Sequence, residues 1–185
     1  MITKLQNARI YDPINRINGK IRDLYIKNNK IIDKPGRGEK ISKVINLKNK
    51  IIMAGGIDIH SHIAGGKVNL ARLLLPEEHR KYLYSSSDKL RSGSGLGTCS
   101  SFHIGYKYAK LGYTAVFEPA TLPSNARSTI IEMSDIPFID KGTYTVLSND
   151  DFLLKLIQKK SNQKKINDYV AWILQSTKGL GIKIV

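Results

Sequence analysis

Two of the four histidines, His60 and His62, sit one residue apart in GGIDIHSHIAGG (residues 55–66). An apolar run, Ile51-Ile52-Met53-Ala54, leads into them and glycine pairs bracket them. Side chains along a strand alternate faces with period two, so Asp58, His60 and His62 would point the same way. Two imidazoles on one face can both reach one metal ion, and zinc accepts histidine nitrogen at about 2.0–2.1 Å. Gly55, Gly56, Gly65 and Gly66 would let backbone crowd close and bend the strand end. H-x-H by itself is a weak motif, and two loop histidines without a ligand give the same letters. The preceding buried strand and Gly-Ile-Asp strengthen the metal reading.

The elements that must position this pair follow from the pattern on either side. Residues 1–50 read as short strands: LQNARIYD ending in the turn signal Asp12-Pro13, IRDLYI and KIID with Asn28-Asn29 between them, then KVINL. Such a run suggests a small β-sheet or half-sandwich. From residue 51 the pattern changes. IIMAGGIDI is nearly continuous apolar, as expected for a strand buried on both faces. Next come a helix over 101–111 stopped by Gly112, a strand YTAVFEP and a helix over 124–133. A third strand TYTVLSN, a helix DFLLKLIQKK capped by Asp150 or Asp151, and a helix over 166–177 ended by Gly179 follow. GIKIV begins a fourth strand. This alternation is an α/β class βαβ series, so the expected division is a β-rich unit at 1–50 and a βα unit at 51–185.

Bulk properties exclude several classes. With 41% hydrophobic residues the chain is not disordered, and no apolar run approaches the roughly 20 residues of a membrane span. The start, MITKLQNARIYDP, lacks a signal-peptide core, and a single cysteine, Cys99, permits no internal disulfide. A cytoplasmic location is expected. The net charge of +15 admits a polyanionic partner. The lysines are scattered, however, and the densest run, within residues 153–165, has no interleaved aromatics. Nucleic acid is therefore not the expected partner.

Several longer segments extend the argument. MAGGIDIHSHI resembles the first barrel strand of the amidohydrolase superfamily. GGKVNLARLLLPEEHR, RSGSGLG, GYKYAKLGYTAVFEPA, IPFIDKGTYTVLSNDDFLL and INDYVAWILQSTKGLGIKIV resemble the A-component family of formylmethanofuran dehydrogenase and of the bacterial formyltransferase/hydrolase complex. The likeness runs from near residue 5 to the end and covers about the first third of a typical member. It implies a small β-domain followed by about four βα units of a (β/α)8 TIM-like barrel, truncated at Val185. It also implies a dinuclear zinc site. His60 and His62 would be metal ligands, and Lys183 would be the metal-bridging, carboxylated and catalytic lysine. A lysine withdrawn from water loses its proton more readily and can then react with CO₂. The implied reaction hydrolyses or moves a formyl group on methanofuran or an analogue. The implied partners are the other subunits of the complex and that carrier. A dihydroorotase-like cyclic amide hydrolase shares the metal chemistry.

Other residues carry weaker signals. The family needs further histidines and an aspartate from later strands, and this chain offers only His79 and His103 besides the pair. The expectation for His79 is an exposed helix start, and for His103 a helix away from the metal. Where relatives carry a histidine soon after EPA, this chain has Arg127-Ser128-Thr129. RSGSGLG suits a substrate-covering loop better than a nucleotide site, and Cys99 reads as structural. Glu118 either faces the site or pairs with a neighbouring cation. An incomplete ligand set also admits a truncated, non-catalytic remnant or scaffold.

Overall fold

A computed structural model describes residues 1–75, 77 and 100–185. His79, the RSGSGLG loop and Cys99 lie outside the described residues. The described chain forms two compact units, Met1–Ala54 and Gly55–Val185.

The first unit is a five-stranded sheet of β1 (Ile2–Asp12), β2 (Ile17–Lys27), β3 (Lys30–Ile32), β4 (Ile41–Asn46) and β5 (Ile51–Met53). The order is β3-β2-β1-β4, with β5 also on β1. β1 and β2 run antiparallel, as do β2 and β3, while β4 and β5 lie parallel to β1. The Asn28-Asn29 turn closes the β2–β3 hairpin with both residues at positive φ, 51° and 61°. That is the backbone of the primed two-residue turn, whose twist matches the flanking strands, and asparagine tolerates it. Asn7 (φ 63°) lies in a break of the β1–β2 register, its amide donating to Asp23 Oδ1 at 3.0 Å. Ile2, Ala8 and Ile10 are buried.

The second unit holds a four-stranded parallel sheet of β6 (Gly56–Asp58), β7 (Tyr113–Thr121), β8 (Asp140–Val146) and β9 (Ile182–Lys183), in that order. Among the described residues its helices are α1 (Gly66–Leu73), α2 (Ser101–Lys110), α3 (Ala126–Met133), α4 (Asp151–Gln158) and α5 (Gln163–Thr177). Sequential order without reversal means every crossover steps the same way along the sheet. The core is Ile63, Ala64, Val116, Met133, Ile136 and Ile139, with Ile104, Tyr108, Ala109 and Tyr113 packed against it. It therefore lies where α2, α3 and the segment after β6 meet β7. Among the described residues no helix is long and apolar enough to cross a membrane.

Several expectations shift. The strand expected through residues 51–59 divides, with Ile51–Met53 joining β1 and Gly56–Asp58 pairing with β7. Nor is it buried on both faces, since Ile51, Met53, Ile57 and Ile59 are all exposed. An apolar run reports affinity for a core, not continuity, and Ala54-Gly55 breaks this one between two sheets. The third strand lies at Asp140–Val146, earlier than TYTVLSN, and the helix expected from residue 124 starts at Ala126 after a 3-10 turn at Pro123–Asn125. The last helix starts earlier than expected, at Gln163. Lys178, not Gly179, takes the left-handed conformation that ends it. Gly179 is needed for space, because a Cβ there would lie 2.3 Å from Thr145 Oγ1.

Of the two aspartates, Asp150 caps α4, accepting from the Leu153 amide at 2.8 Å. The same carboxylate accepts from Tyr169 Oη at 2.9 and 3.0 Å. Burial, and then this bond to Asp150, push the Tyr169 hydroxyl up to about 12. Because the folded-state value lies above the ordinary value of 10, the contribution to stability is complete below about pH 10 and lost as pH rises through 12. Tyr169→Phe is expected to cost about 1 kcal/mol in urea unfolding at pH 7. It should also delete one late step from the alkaline phenolate absorbance titration. An unchanged titration curve would mean that Tyr169 is not the late-titrating tyrosine.

Candidate metal centre

The site gathers at the carboxyl ends of the parallel strands, where open α/β sheets place their functional groups. β6 ends at Asp58, so His60 and His62 lie beyond it and not on it as expected. The chain bends there because Asp58 Oδ1 accepts from the His60 amide at 3.0 Å, a local turn that aspartate favours. The two rings nevertheless meet edge to face, centroids 5.2 Å apart. Ser61, between them, is buried, and its amide donates to the Phe117 carbonyl at 3.0 Å. A buried residue flanked by two exposed ones turns both imidazoles outward together.

Lys183 ends β9, which pairs with β8 in the register Val146↔Lys183. Its Nζ lies 3.4 Å from His60 Nδ1, although 123 residues separate the two. Lys183 is half-buried, less enclosed than a lysine sealed inside a barrel. All three candidate residues thus converge.

Glu118 resolves toward the histidine pair. It is 1% exposed on β7, its Oε1 lying 3.1 Å from His62 Nδ1 and accepting from the Ala120 amide at 2.9 Å. Its Oε2 accepts from the Ile63 amide at 2.9 Å and the Ala64 amide at 3.5 Å. A carboxylate beside Nδ1 requires the proton on that nitrogen and leaves the Nε2 lone pair of neutral His62 for a ligand. The His62 side chain is 53% exposed, so a metal ion or substrate can reach it. His103 lies on a helix, as expected, in the first turn of α2, its amide capped by Ser100 Oγ at 3.3 Å.

Sequence reasoning missed Glu132. It lies on α3, 3% exposed, and accepts from Gly65 N at 2.8 Å, Asn69 Nδ2 at 3.0 Å and Ser101 Oγ at 2.6 Å. The one available signal was a carboxylate within the apolar run TIIEM, where a helix would otherwise turn only apolar groups inward. Two glycines are needed for close approach. A Cβ on Gly55 would lie 2.1 Å from Thr114 Cγ2, and Gly65 has φ 95° with Thr129 Oγ1 2.8 Å from where its Cβ would be.

Among the described residues no three His, Cys, Asp or Glu side chains converge as a metal-binding group. The donors at hand are two imidazoles and one amine. They suit a metal only when Lys183 loses its positive charge, because a cation beside an ammonium is repelled. A carbamate on Nζ would replace that charge with an anionic pair of oxygens.

The amidohydrolase family matches residues 43–185. The chain belongs to this family. The chain is 38% identical over 181 residues to protein FwdA of Methanocaldococcus jannaschii, covering 98% of this chain and 31% of that protein. It is 36% identical over 185 residues to the A component of the formyltransferase/hydrolase complex Fhc of Methylorubrum extorquens, covering all of this chain and 32% of that protein. Among solved structures it matches the formyltransferase/hydrolase complex FhcABCD of Methylorubrum extorquens in complex with methylofuran. The TM-score is 0.83 at 35% identity, over 100% of this chain and 33% of that one. The chain thus spans about a third of the length of the relatives it matches.

Proposed function

We propose that this amidohydrolase contributes the H-x-H half of a dinuclear zinc site that hydrolyses or transfers a formyl group from the amine of a methanofuran-type carrier. The observation that carries the proposal is the meeting of Lys183 with His60 across 123 residues of chain, at the ends of β9 and beyond β6. The sequential parallel order of β6 to β9 supports the finer architecture, the first units of a (β/α)8 barrel. Similarity to a component of FhcABCD, solved with methylofuran, supports the carrier class and the other subunits as partners. A cytoplasmic location belongs to the same proposal.

In this reading His60 and His62 would hold the metal through imidazole nitrogens, together with Lys183 in carboxylated form. A metal there would supply Lewis acidity toward a formyl carbonyl and lower the pKa of water. Glu118 keeps the His62 proton on Nδ1 and so keeps Nε2 turned outward. The exposed His62 face leaves room for the carrier's amide end. Hydrolysis consumes one water and yields formate and the free amine.

The test is metal content and formate release together. The chain is loaded with zinc in bicarbonate buffer and given formylated methylofuran, alone and with the remaining subunits of a relative's complex. Zinc-dependent formate release is expected, abolished by His60→Ala with His62→Ala. Release unaffected by that double substitution would end the proposal. A second reading, a non-catalytic scaffold, is favoured by one observation: no three acidic, histidine or cysteine side chains converge among the described residues. It predicts assembly with the other subunits but no bound zinc.

A further inference from the structure

The three peptide units that follow His62 are each bonded to a buried charged side chain. The Ile63 amide donates to Glu118, as does the Ala64 amide at longer range. The Ile63 carbonyl accepts from Arg72 Nη2. The Gly65 amide donates to Glu132 Oε2 at 2.8 Å. Arg72 and Glu132 in turn face each other at 3.6 Å, with side chains only 11% and 4% exposed. Asn69 joins them, giving Nδ2 to Glu132 at 3.0 Å and taking Arg72 Nη1 on Oδ1 at 3.2 Å. Ser101 Oγ fixes the other carboxylate oxygen at 2.6 Å.

Burying an ion pair adds little net stability over a well-packed apolar substitute, because both ions lose their water. What such a cluster does supply is direction, since each bond holds only in one orientation. Here the directions all converge on the backbone next to His62. Two carboxylates from different elements, Glu118 on β7 and Glu132 on α3, hold amides two residues apart, and Arg72 from α1 holds the carbonyl between them. With Gly65 at φ 95°, this backbone has no regular hydrogen-bonded ladder of its own to hold it.

We infer that Glu132, acting with Arg72, is a positioning residue for the histidine pair. It fixes the peptides of residues 63–65 and thereby the direction in which His62 presents Nε2. The inference rests on the metal-site reading of that pair, and it is tested without metal. In the full chain with ¹⁵N-labelled histidine, the imidazole nitrogens report the tautomer of each ring. The unmutated chain is expected to show His62 as one Nδ1-protonated form. Glu132→Gln is expected to convert His62 to a mixture and to shift the amides of residues 62–65. Ile173→Ala, which opens the buried core of α5 far along the chain, controls for lost stability and should leave His62 unchanged. If Glu132→Gln does not fold, Arg72→Lys serves instead, keeping the charge while losing the fork that holds Ile63 and Asn69.

A single unchanged His62 tautomer in a folded Glu132→Gln or Arg72→Lys chain overturns the inference and leaves the cluster merely structural. Cobalt titrated into the same samples separates the two readings. A visible d–d spectrum in the unmutated chain, weakened about 10–100-fold in affinity by Glu132→Gln, supports both. No cobalt spectrum in any sample, with the tautomer change intact, overturns the metal site and leaves the positioning role standing.

Discussion

Glu118→Ala is expected to destabilise the second unit by roughly 4 kcal/mol, a large part of a total that is commonly about 5–15 kcal/mol. Glu118 is 1% exposed and satisfies the amides of Ile63 and Ala120, each at 2.9 Å. Removing it leaves the buried Ile63 amide and the half-buried Ala120 amide without that acceptor, at roughly 1–3 kcal/mol apiece, and opens a cavity where the side chain stood. Glu118→Gln is expected to cost less than the alanine change, because its carbonyl oxygen still accepts one amide. It should lose one side of the contacts, since its NH₂ group cannot accept either from His62 Nδ1–H and Ala120, which share Oε1, or from Ile63 and Ala64, which share Oε2. Urea unfolding followed by circular dichroism separates the two variants. A loss under about 1 kcal/mol for the alanine variant would mean that water replaces the carboxylate and that the site is open beneath His62.

Lys183→Ala is expected to weaken zinc binding by more than about 100-fold, since even outer partners of metal ligands cost 10–100-fold and a bridging ligand should cost more. The unmutated chain should take up more zinc in bicarbonate than in CO₂-free buffer, because the proposed bridge requires CO₂ on Nζ. That difference should vanish in Lys183→Ala. Lys183→Glu carries a carboxylate without CO₂ and should retain part of the binding, with no bicarbonate dependence. Calorimetric titration with zinc in the two buffers reads all three chains. Equal affinity and stoichiometry in the unmutated and Lys183→Ala chains would remove Lys183 from the site, whatever its 3.4 Å approach to His60.

The two predictions share a physical basis. Neither residue is near the histidines in sequence, and in the proposed site each would act by supplying what an imidazole lacks. Glu118 supplies an acceptor that selects one tautomer, and Lys183 supplies a charge that reverses once carboxylated. Both arrive through parallel β pairing, which brings the ends of distant strands side by side.

The sequence by itself determined the local elements and the identity of the candidate ligands. Asn28-Asn29 marked the hairpin because few residues accept φ above zero, and both take it. Gly112 stopped its helix for the same reason, at φ 87°. Asp150 was one of two named caps and is the one used. His60 and His62 stood out by spacing, and Lys183 through family resemblance. All but the last are short-range properties, written in neighbouring side chains.

Only the tertiary structure decided the rest. Periodicity read IIMAGGIDI as one strand, yet hydrogen bonding to β1 and to β7 splits it between two sheets. Period-two alternation put both histidines on a strand, but the strand ends at Asp58 and the rings meet because buried Ser61 anchors the bend. The sequence allows Glu118 two roles, and its contact with His62 across 56 residues chooses one. Arg72 and Asn69 carry no signal in the sequence, and Glu132 only a weak one, because a carboxylate in a helix normally faces water. What turns it inward is the set of donors that α1, α2 and the 63–65 backbone bring around it. A buried charge is tolerated only where several such groups converge, and convergence is a property of the fold.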